Sequence, residues 1–328
     1  MSKLAVIGAS GMVGETIIKM IEKYNIEYDE IDLYASARSA GKKVTVNGEE
    51  VTIKELTENA ADEKYDYVIM AAGGKLASIY APLFEAAGSI VVDNSSHFRM
   101  QEDIDLIIPE INTPTLNRKI IANPNCSTTQ AVVALKPLYD DFGIDRVSYV
   151  TYQAVSGSGV TGIDDLKNGE KGLEPTNYPY PIYNNVLPHI DDFLDNGFTK
   201  EEQKMIDETK KILNDDEIKV TATCVRVPVE NSHSVEMNVT LKNETTVDEI
   251  RESLRGHDHI VLMDDVKNLV YPTPLDASGK SEVFVGRIRK DETLINTFHI
   301  WCVSDNLLKG AAQNSVQILK QLQEMNKK

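Results

Sequence analysis

The run Gly8-Ala9-Ser10-Gly11-Met12-Val13-Gly14 constrains the fold of this chain more than any other stretch, because of what flanks it. Residues 3–7 make a short apolar run suited to a buried strand, and Ile17, Ile18, Met20 and Ile21 then recur at helical spacing. Strand, glycine turn and helix in that order form a dinucleotide-binding fingerprint, in which backbone N–H groups at the helix start receive a pyrophosphate. A tight turn with no ligand is the plain alternative, and the correct element on each side weighs against it. The expected cofactor contacts are Gly8, Ser10, Gly11, Met12, Val13 and Gly14, with Gly73 added from another buried strand, 67–72, that ends in glycines.

Residues 31–35 read as the second strand. An acid at its end would hold the ribose 2′-hydroxyl of NAD, whereas this chain offers Ser36, Arg38 and Ser39. A guanidinium and two hydroxyls suit a 2′-phosphate, so NADP is favoured. Asp32, earlier in the strand, leaves NAD open, and Arg38 as a solvated loop charge is the bland reading.

A cysteine in Asn-Pro-Asn-Cys-Ser-Thr-Thr-Gln, residues 123–130, supplies candidate chemistry. A short strand, 119–122, precedes it, and Ala131, Val132, Leu135 and Leu138 follow at helical spacing, which puts Cys126 at a helix N-terminus. The helix dipole and unpaired N–H groups there stabilise a thiolate over a thiol. Buried structural cysteines are the commoner case. Here the polar neighbours Asn123, Asn125, Ser127, Thr128 and Thr129 pack poorly and hydrogen-bond well.

At 328 residues the chain can hold two cores, and no apolar run approaches a membrane span. Met1-Ser2-Lys3 leads straight into the first strand with no signal peptide, so a cytoplasmic location is expected. Three cysteines, with Cys224 and Cys302 in apolar runs, make no disulfide framework. A formal net charge of −17 disfavours phosphate-backbone binding, so no nucleic-acid partner is expected.

Alternating strands and helices up to Cys126 imply a mostly parallel sheet covered on both faces, with a hairpin at 44–51 turning on Asn47-Gly48 and a helix over 76–87. Further short strands fall at 90–93 and 106–108. Beyond Cys126 the strands lengthen, at 147–154, 218–229, 235–241 and 294–303, as members of a mixed sheet with helices near 200–213 and 246–255. The helical stripe from Leu307 to Leu319 is expected to return to the first domain. The fold class is therefore α/β: a Rossmann-type NADP-binding domain, 1–125 with 306–328, and a second, α+β domain, 126–305, with a mixed sheet.

Five motifs carry a family resemblance: the glycine turn at 8–14, Ser95-Ser96-His97-Phe98-Arg99, Asn123 to Thr128, Gln153-Ala154-Val155-Ser156-Gly157, and Arg226-Val227-Pro228-Val229 with Ser232-His233-Ser234. In order and spread they resemble aspartate-semialdehyde dehydrogenase. The resemblance implies a two-domain architecture like that of glyceraldehyde-3-phosphate dehydrogenase and a homodimer or homotetramer built through the second domain. It also implies NADP-dependent interconversion of aspartyl-4-phosphate and aspartate 4-semialdehyde, on the way to lysine, threonine and methionine, with phosphate as the released group.

On that resemblance Cys126 is the nucleophile, His233 the acid/base and Gln153 the residue that orients substrate. Arg99 and Lys211 match the anion site, Arg226 clamps the α-carboxylate, and Glu208, three before Lys211 on one helical face, meets the α-ammonium. Asn125 joins the substrate contacts, and Ser156, Gly157 and Asn306 the cofactor contacts. An unperturbed imidazole titrates near neutrality, which suits acid/base work. For Glu208 and Lys211 the alternative is an exposed ion pair, and for the two arginines a structural salt bridge. Ser232 stands where glycine is expected, and Asn306 where the family can carry the longer glutamine. N-acetylglutamyl-phosphate reductase shares the chemistry but is expected to carry a Gly-Cys-Tyr turn. A silent NADP-binding paralogue is expected to have lost Cys126, Gln153 or His233.

Overall fold

The computed structural model describes residues 2–327 and divides into two compact units, one running to Pro124 and resuming at Ala311, the other Asn125–Gly310. In the first unit the chain runs β1 (Lys3–Ile7), α1 (Met12–Lys23), β2 (Glu30–Ala35), β3 (Lys43–Val46), β4 (Glu49–Thr52), β5 (Lys54–Glu55), β6 (Tyr67–Met70), α2 (Gly74–Ala86), β7 (Ile90–Asp93), β8 (Asp105–Leu106) and β9 (Ile120–Ala122). Seven of these strands form one sheet, in the order β5-β2-β1-β6-β7-β9-β8, with every pairing parallel. Burial on both faces explains why β1, β6 and β9 are apolar almost throughout. The strand order reverses between β1 and β6, which is where open α/β sheets bind their ligands.

The hairpin β3–β4 turns at Asn47 and Gly48, with φ of 49° and 85°, the left-handed pair that a two-residue turn requires. Residues 106–108 form less strand than expected. Only Asp105–Leu106 pairs, at the sheet edge. The C-terminal stripe also starts later than Leu307: a π-helical turn at Leu308–Ala312 precedes the helix Gln313–Asn326, whose Val316, Ile318, Leu319 and Leu322 are buried.

The second unit contains α3 (Cys126–Phe142), β10 (Ile144–Gln153), α4 (Val160–Glu170), α5 (Lys200–Leu213), β11 (Lys219–Arg226), β12 (His233–Leu241), α6 (Val247–Leu254), β13 (Ile260–Leu262), α7 (Pro274–Ala277), β14 (Val283–Lys290) and β15 (Thr297–Ser304). Its sheet runs β11-β10-β12-β15-β14-β13 and is mixed, with β10–β11 and β13–β14 parallel and the other pairs antiparallel. Val147, Tyr149 and Thr151 of β10 are fully buried while Tyr152 is exposed, the alternation of a sheet with one covered face. Helix α4 and strands β13 and β14 were not foreseen. Gly162 and Gly169 weaken the helical pattern of α4 and are there for contact, since a Cβ would lie 2.4 Å from the Val155 carbonyl oxygen and 2.7 Å from Tyr183 Cβ.

Candidate active site

In the first unit the glycine turn does what its sequence implies. Gly8 has φ +84°, and a Cβ there would lie 2.4 Å from the Ala71 carbonyl oxygen at the end of β6. A Cβ on Gly14 would meet the Gly8 carbonyl oxygen at 2.1 Å, so α1 packs against the turn only because both residues are glycine. Gly11 caps α1 with no side-chain acceptor, which leaves the N–H groups at Met12 and Val13 for an anion. Ser10 and Gly73 flank the same switch point, Gly73 as the cap of α2. These features fit a pyrophosphate.

At the end of β2, Ser36 and Arg38 are exposed, Ser39 is buried, and no described residue pairs with Arg38. Asp32 is already engaged: Lys54 Nζ lies 2.8 Å from one carboxylate oxygen, and Tyr65 donates to the other at 2.6 Å. Arg99 is buried and held by its backbone neighbours, Nε donating to the Asn123 carbonyl at 2.8 Å and Nη2 to that of Asn94 at 3.0 Å.

In the second unit Cys126 is the first residue of α3, part-exposed, with Asn125 as N-cap. Gly310 makes room for it, since a Cβ there would sit 2.7 Å from Cys126 Cβ. One expectation needs correction. The N–H groups of Ser127 and Thr128 are not unpaired; both donate to Asn125 Oδ1, at 2.9 and 3.2 Å. The helix dipole remains to favour a thiolate, but those two donors do not. Asn125 is equally committed, because its Nδ2 donates to Glu201 Oε1 at 2.8 Å, so its side chain is a cap and a strut rather than a free substrate contact.

Glu201 is the residue that sequence reasoning missed. Its Oε1 also accepts from Gln153 Nε2 at 3.1 Å, and its Oε2 pairs with Lys204 at 3.1 Å. Burial pushes its carboxyl upward, yet the Lys204 ammonium and the Asn125 and Gln153 amides hold it at about 2. Glu208 and Lys211 were expected at this point. Glu208 is instead buried, with Oε2 receiving the Asn125 N–H at 2.6 Å, so it is not part of an exposed ion pair, and Lys211 lies in the last turn of α5. Both pairs have the same three-residue spacing and lie a heptad apart on one helical face, so spacing alone cannot choose between them. The capping box of Thr199 and Glu202, which starts α5 one residue before Lys200, was the available signal.

Gln153 ends β10, and the next residue ties two more groups together. The Ala154 N–H donates to His233 Nδ1 at 3.0 Å, and its carbonyl accepts from Arg226 Nη1 at 2.7 Å. Because Nδ1 accepts, the neutral imidazole carries its proton on Nε2. Burial, helped by the nearby Arg226 charge, pushes this histidine down to about 3, so the expected titration near neutrality does not hold in this state. His233 Nε2 and Arg226 Nε are buried without a hydrogen-bond partner among the described residues. Gly157 lies against both: a Cβ there would be 2.9 Å from Arg226 Nη1 and 3.3 Å from His233 Nε2. Among the described residues no carboxylate pairs with Arg226.

Ser156 and Asn306, expected at the cofactor, are brought together but bond to each other. Asn306 Nδ2 donates to Ser156 Oγ at 3.0 Å, and Asn306 Oδ1 accepts the Ser232 N–H at 2.9 Å. Ser232 has φ +74°, which is why glycine was expected there. Cys224 and Cys302 are free and buried, and burial pushes both thiols up. No group of described residues could hold a metal ion, and no described helix is long and apolar enough to cross a membrane.

Known proteins resemble the chain over its whole length. Residues 3–119 match the family model described as semialdehyde dehydrogenase, NAD binding domain, and residues 135–309 that described as semialdehyde dehydrogenase, dimerisation domain. Aspartate-semialdehyde dehydrogenase of Aquifex aeolicus is 45% identical over 98% of this chain and 97% of its own, and that of Bacillus subtilis 44% identical over 98% of each. The crystal structure of Vibrio cholerae aspartate semialdehyde dehydrogenase II complexed with ASA has a TM-score of 0.94 at 40% identity, covering 99% of this chain and 98% of the other. The Candida albicans enzyme with NADP has a TM-score of 0.78 at 28% identity over 99% of both chains. With a parallel sheet in the region matched by the NAD binding domain model, a second unit whose α3 begins at Cys126 and whose mixed sheet carries Gln153, Arg226 and His233, and relatives of this closeness, the chain belongs to the aspartate-semialdehyde dehydrogenase family.

Proposed function

We propose that the chain reduces L-aspartyl-4-phosphate to L-aspartate 4-semialdehyde with NADPH, through a thioester on Cys126. The observation that carries this reading is the pair of buried donors left unpaired beside Gly157, His233 Nε2–H and Arg226 Nε–H, in the same unit as the part-exposed Cys126. Buried donors of this kind cost stability unless a ligand accepts from them. A carboxylate on Arg226 and a reacting carbonyl oxygen near His233 Nε2 would satisfy both.

In this reading the Cys126 thiolate attacks the acyl carbon, a C–S bond forms, and phosphate departs as the C–O bond breaks. Bound NADPH supplies the two-electron reduction from the thioester to the aldehyde level. His233 Nε2–H donates toward the thiohemiacetal oxygen, shares its proton with the developing alkoxide, and keeps that proton as the C–S bond breaks, releasing aldehyde and thiolate. Burial and then the charge of Arg226 disfavour the imidazolium, so the ring acts in its neutral form, as a donor from Nε2. Arg226 holds the α-carboxylate. Glu201, in place of Glu208, receives the α-ammonium, with Gln153 fixed between Glu201 and Thr151 to orient the substrate. Lys204, in place of Lys211, is the cation of the second unit that receives the phosphate. Arg38 with Ser36 and Ser39 receives the 2′-phosphate, a reading supported by the prior engagement of Asp32. The second unit carries a homodimer or homotetramer interface, for which the exposed Tyr152 on the open face of the mixed sheet is a fitting contact.

The test is phosphate- or arsenate-dependent NADPH formation from aspartate semialdehyde, run beside N-acetylglutamate semialdehyde. The free amine substrate is expected to be used far better, and Cys126→Ala to abolish turnover while NADP still binds. Substantial turnover by that variant would sink the nucleophile assignment. Arg38→Ala is expected to lower the NADP-to-NAD efficiency ratio at least roughly tenfold, since a hydrogen bond to a charged group contributes about 1.5–3 kcal/mol. An unchanged ratio would make Arg38 a solvated loop charge.

A further inference from the structure

Gln130 is fully buried in α3, four residues and so about one turn after Cys126 on the same helical face. Its Nε2 donates to the main-chain carbonyl of His233 at 3.1 Å. That carbonyl lies at the end of the ladder: His233 opens β12, its pairing with β15 ends there at Ser304, and the pairing of β12 with β10 has already ended at Ser234 with Tyr152. On the other side of the same residue, the peptide N–H of Ser232 is held by Asn306 Oδ1, in a turn whose φ of +74° is strained for serine. The ring itself is held at Nδ1 by the Ala154 N–H. Asn306 and Gln130 thus take the backbone on either side of the Ser232–His233 turn, one from the chain after β15 and one from the helix that presents the thiol.

We propose that Gln130 is a positioning residue for the acid/base step, setting together with Asn306 where His233 Nε2 points, so that the helix presenting Cys126 also registers the proton donor. The proposal rests on the assignment of His233 to that step. Neither amide touches the reacting atoms. Their effect is on the direction of one N–H bond, and such misplacement costs rate steeply: a shift of about 1 Å can cost roughly a hundredfold.

Gln130→Met keeps the shape and removes the donor. The expected result is a fall in kcat of roughly tenfold to a hundredfold, with the KM for NADP and the alkylation rate of Cys126 by iodoacetamide near wild type. In a His233→Ala background the same substitution is expected to cost nothing further, because the group it positions is gone. Equal costs in the two backgrounds, or a lower Tm with kcat intact, would overturn the proposal and leave Gln130 a packing residue. Should Gln130→Met fail to fold, the Asn306 pair decides. Asn306→Asp keeps an acceptor for the Ser232 N–H and should retain most of kcat, whereas Asn306→Ala should lose it. A rise confined to the NADP KM in both variants would assign the amide to the cofactor and overturn its part here. Full kcat in His233→Ala alone would instead overturn the acid/base assignment, whatever Gln130 does.

Discussion

At position 232 a serine occupies backbone space that favours glycine, with φ +74° and no exposed surface. Left-handed backbone costs a non-glycine residue about 1–3 kcal/mol. Two bonds hold it there, the N–H on Asn306 Oδ1 and a 2.9 Å contact between its hydroxyl and that of Ser278. The order of stability among substitutions is therefore expected to invert. At an ordinary site alanine exceeds glycine by about 0.5–1 kcal/mol. Here Ser232→Ala keeps the strain and loses the hydroxyl bond, while Ser232→Gly loses the bond and relieves the strain. Urea unfolding should place Ser232→Gly above Ser232→Ala by about 1 kcal/mol. Alanine ranking above glycine would mean that the turn is not strained.

Helix α3 begins with a cap that is also part of a carboxylate network, and this gives an element-level expectation that ordinary capping rules would miss. Asn and Asp are about equal as N-caps. Asn125→Asp would keep an acceptor for the Ser127 and Thr128 N–H groups but replace the Nδ2 donor with an oxygen facing Glu201 Oε1, now 2.8 Å away. Like charges so placed in a buried site repel. Asn125→Asp should therefore be less stable than Asn125→Ser in thermal unfolding at pH 7 and should recover as the pH falls and one carboxyl protonates. Equal stability of the two at pH 7 would show that Glu201 does not depend on the amide. Helix α5 shows why such a network was hidden in the sequence. Glu201 with Lys204 and Glu208 with Lys211 share one spacing and one face, and only the contacts of each carboxylate separate them. Elements defined by local chemistry were legible: Gly8 and Gly14 by close approach, Asn47-Gly48 by turn type, Cys126 by its helix start. Those defined by distant partners were not. Gly162 and Gly169 disguised α4, and nothing local marked Asp32 as the partner of Tyr65 and Lys54.

Across the whole molecule, the parallel sheet and the change to a mixed sheet were readable from alternation, because burial on one face or two imprints directly on sequence. The protonation behaviour of the site was not, since it depends on burial that the sequence of β12 does not reveal. His233 is pushed down to about 3 from an ordinary 6.5, chiefly by burial and then by Arg226. The unfolded chain then binds more protons than the folded one between those values, so stability falls as the pH drops through that window. Above pH 6.5 both forms are neutral and the residue contributes no slope. Glu201, held down to about 2, adds stability that is present above its ordinary 4.5 and is lost only as the pH falls from there toward 2. The net charge of −17 works the other way, because mild acid relieves its self-repulsion. The raw pH profile thus mixes opposing slopes, and a difference isolates the histidine. Unfolding free energies of the wild type minus those of His233→Gln should decline by roughly 2–3 kcal/mol from pH 7 to pH 4.5, about 1.4 kcal/mol for each pH unit below 6.5. Glu201 titrates below that interval and cancels in the subtraction, as does most of the charge repulsion. A flat difference would mean that His233 accepts a proton in the folded protein as readily as in the unfolded chain, and its burial beside Arg226 would then have to be relaxed by a local opening of the β12 start.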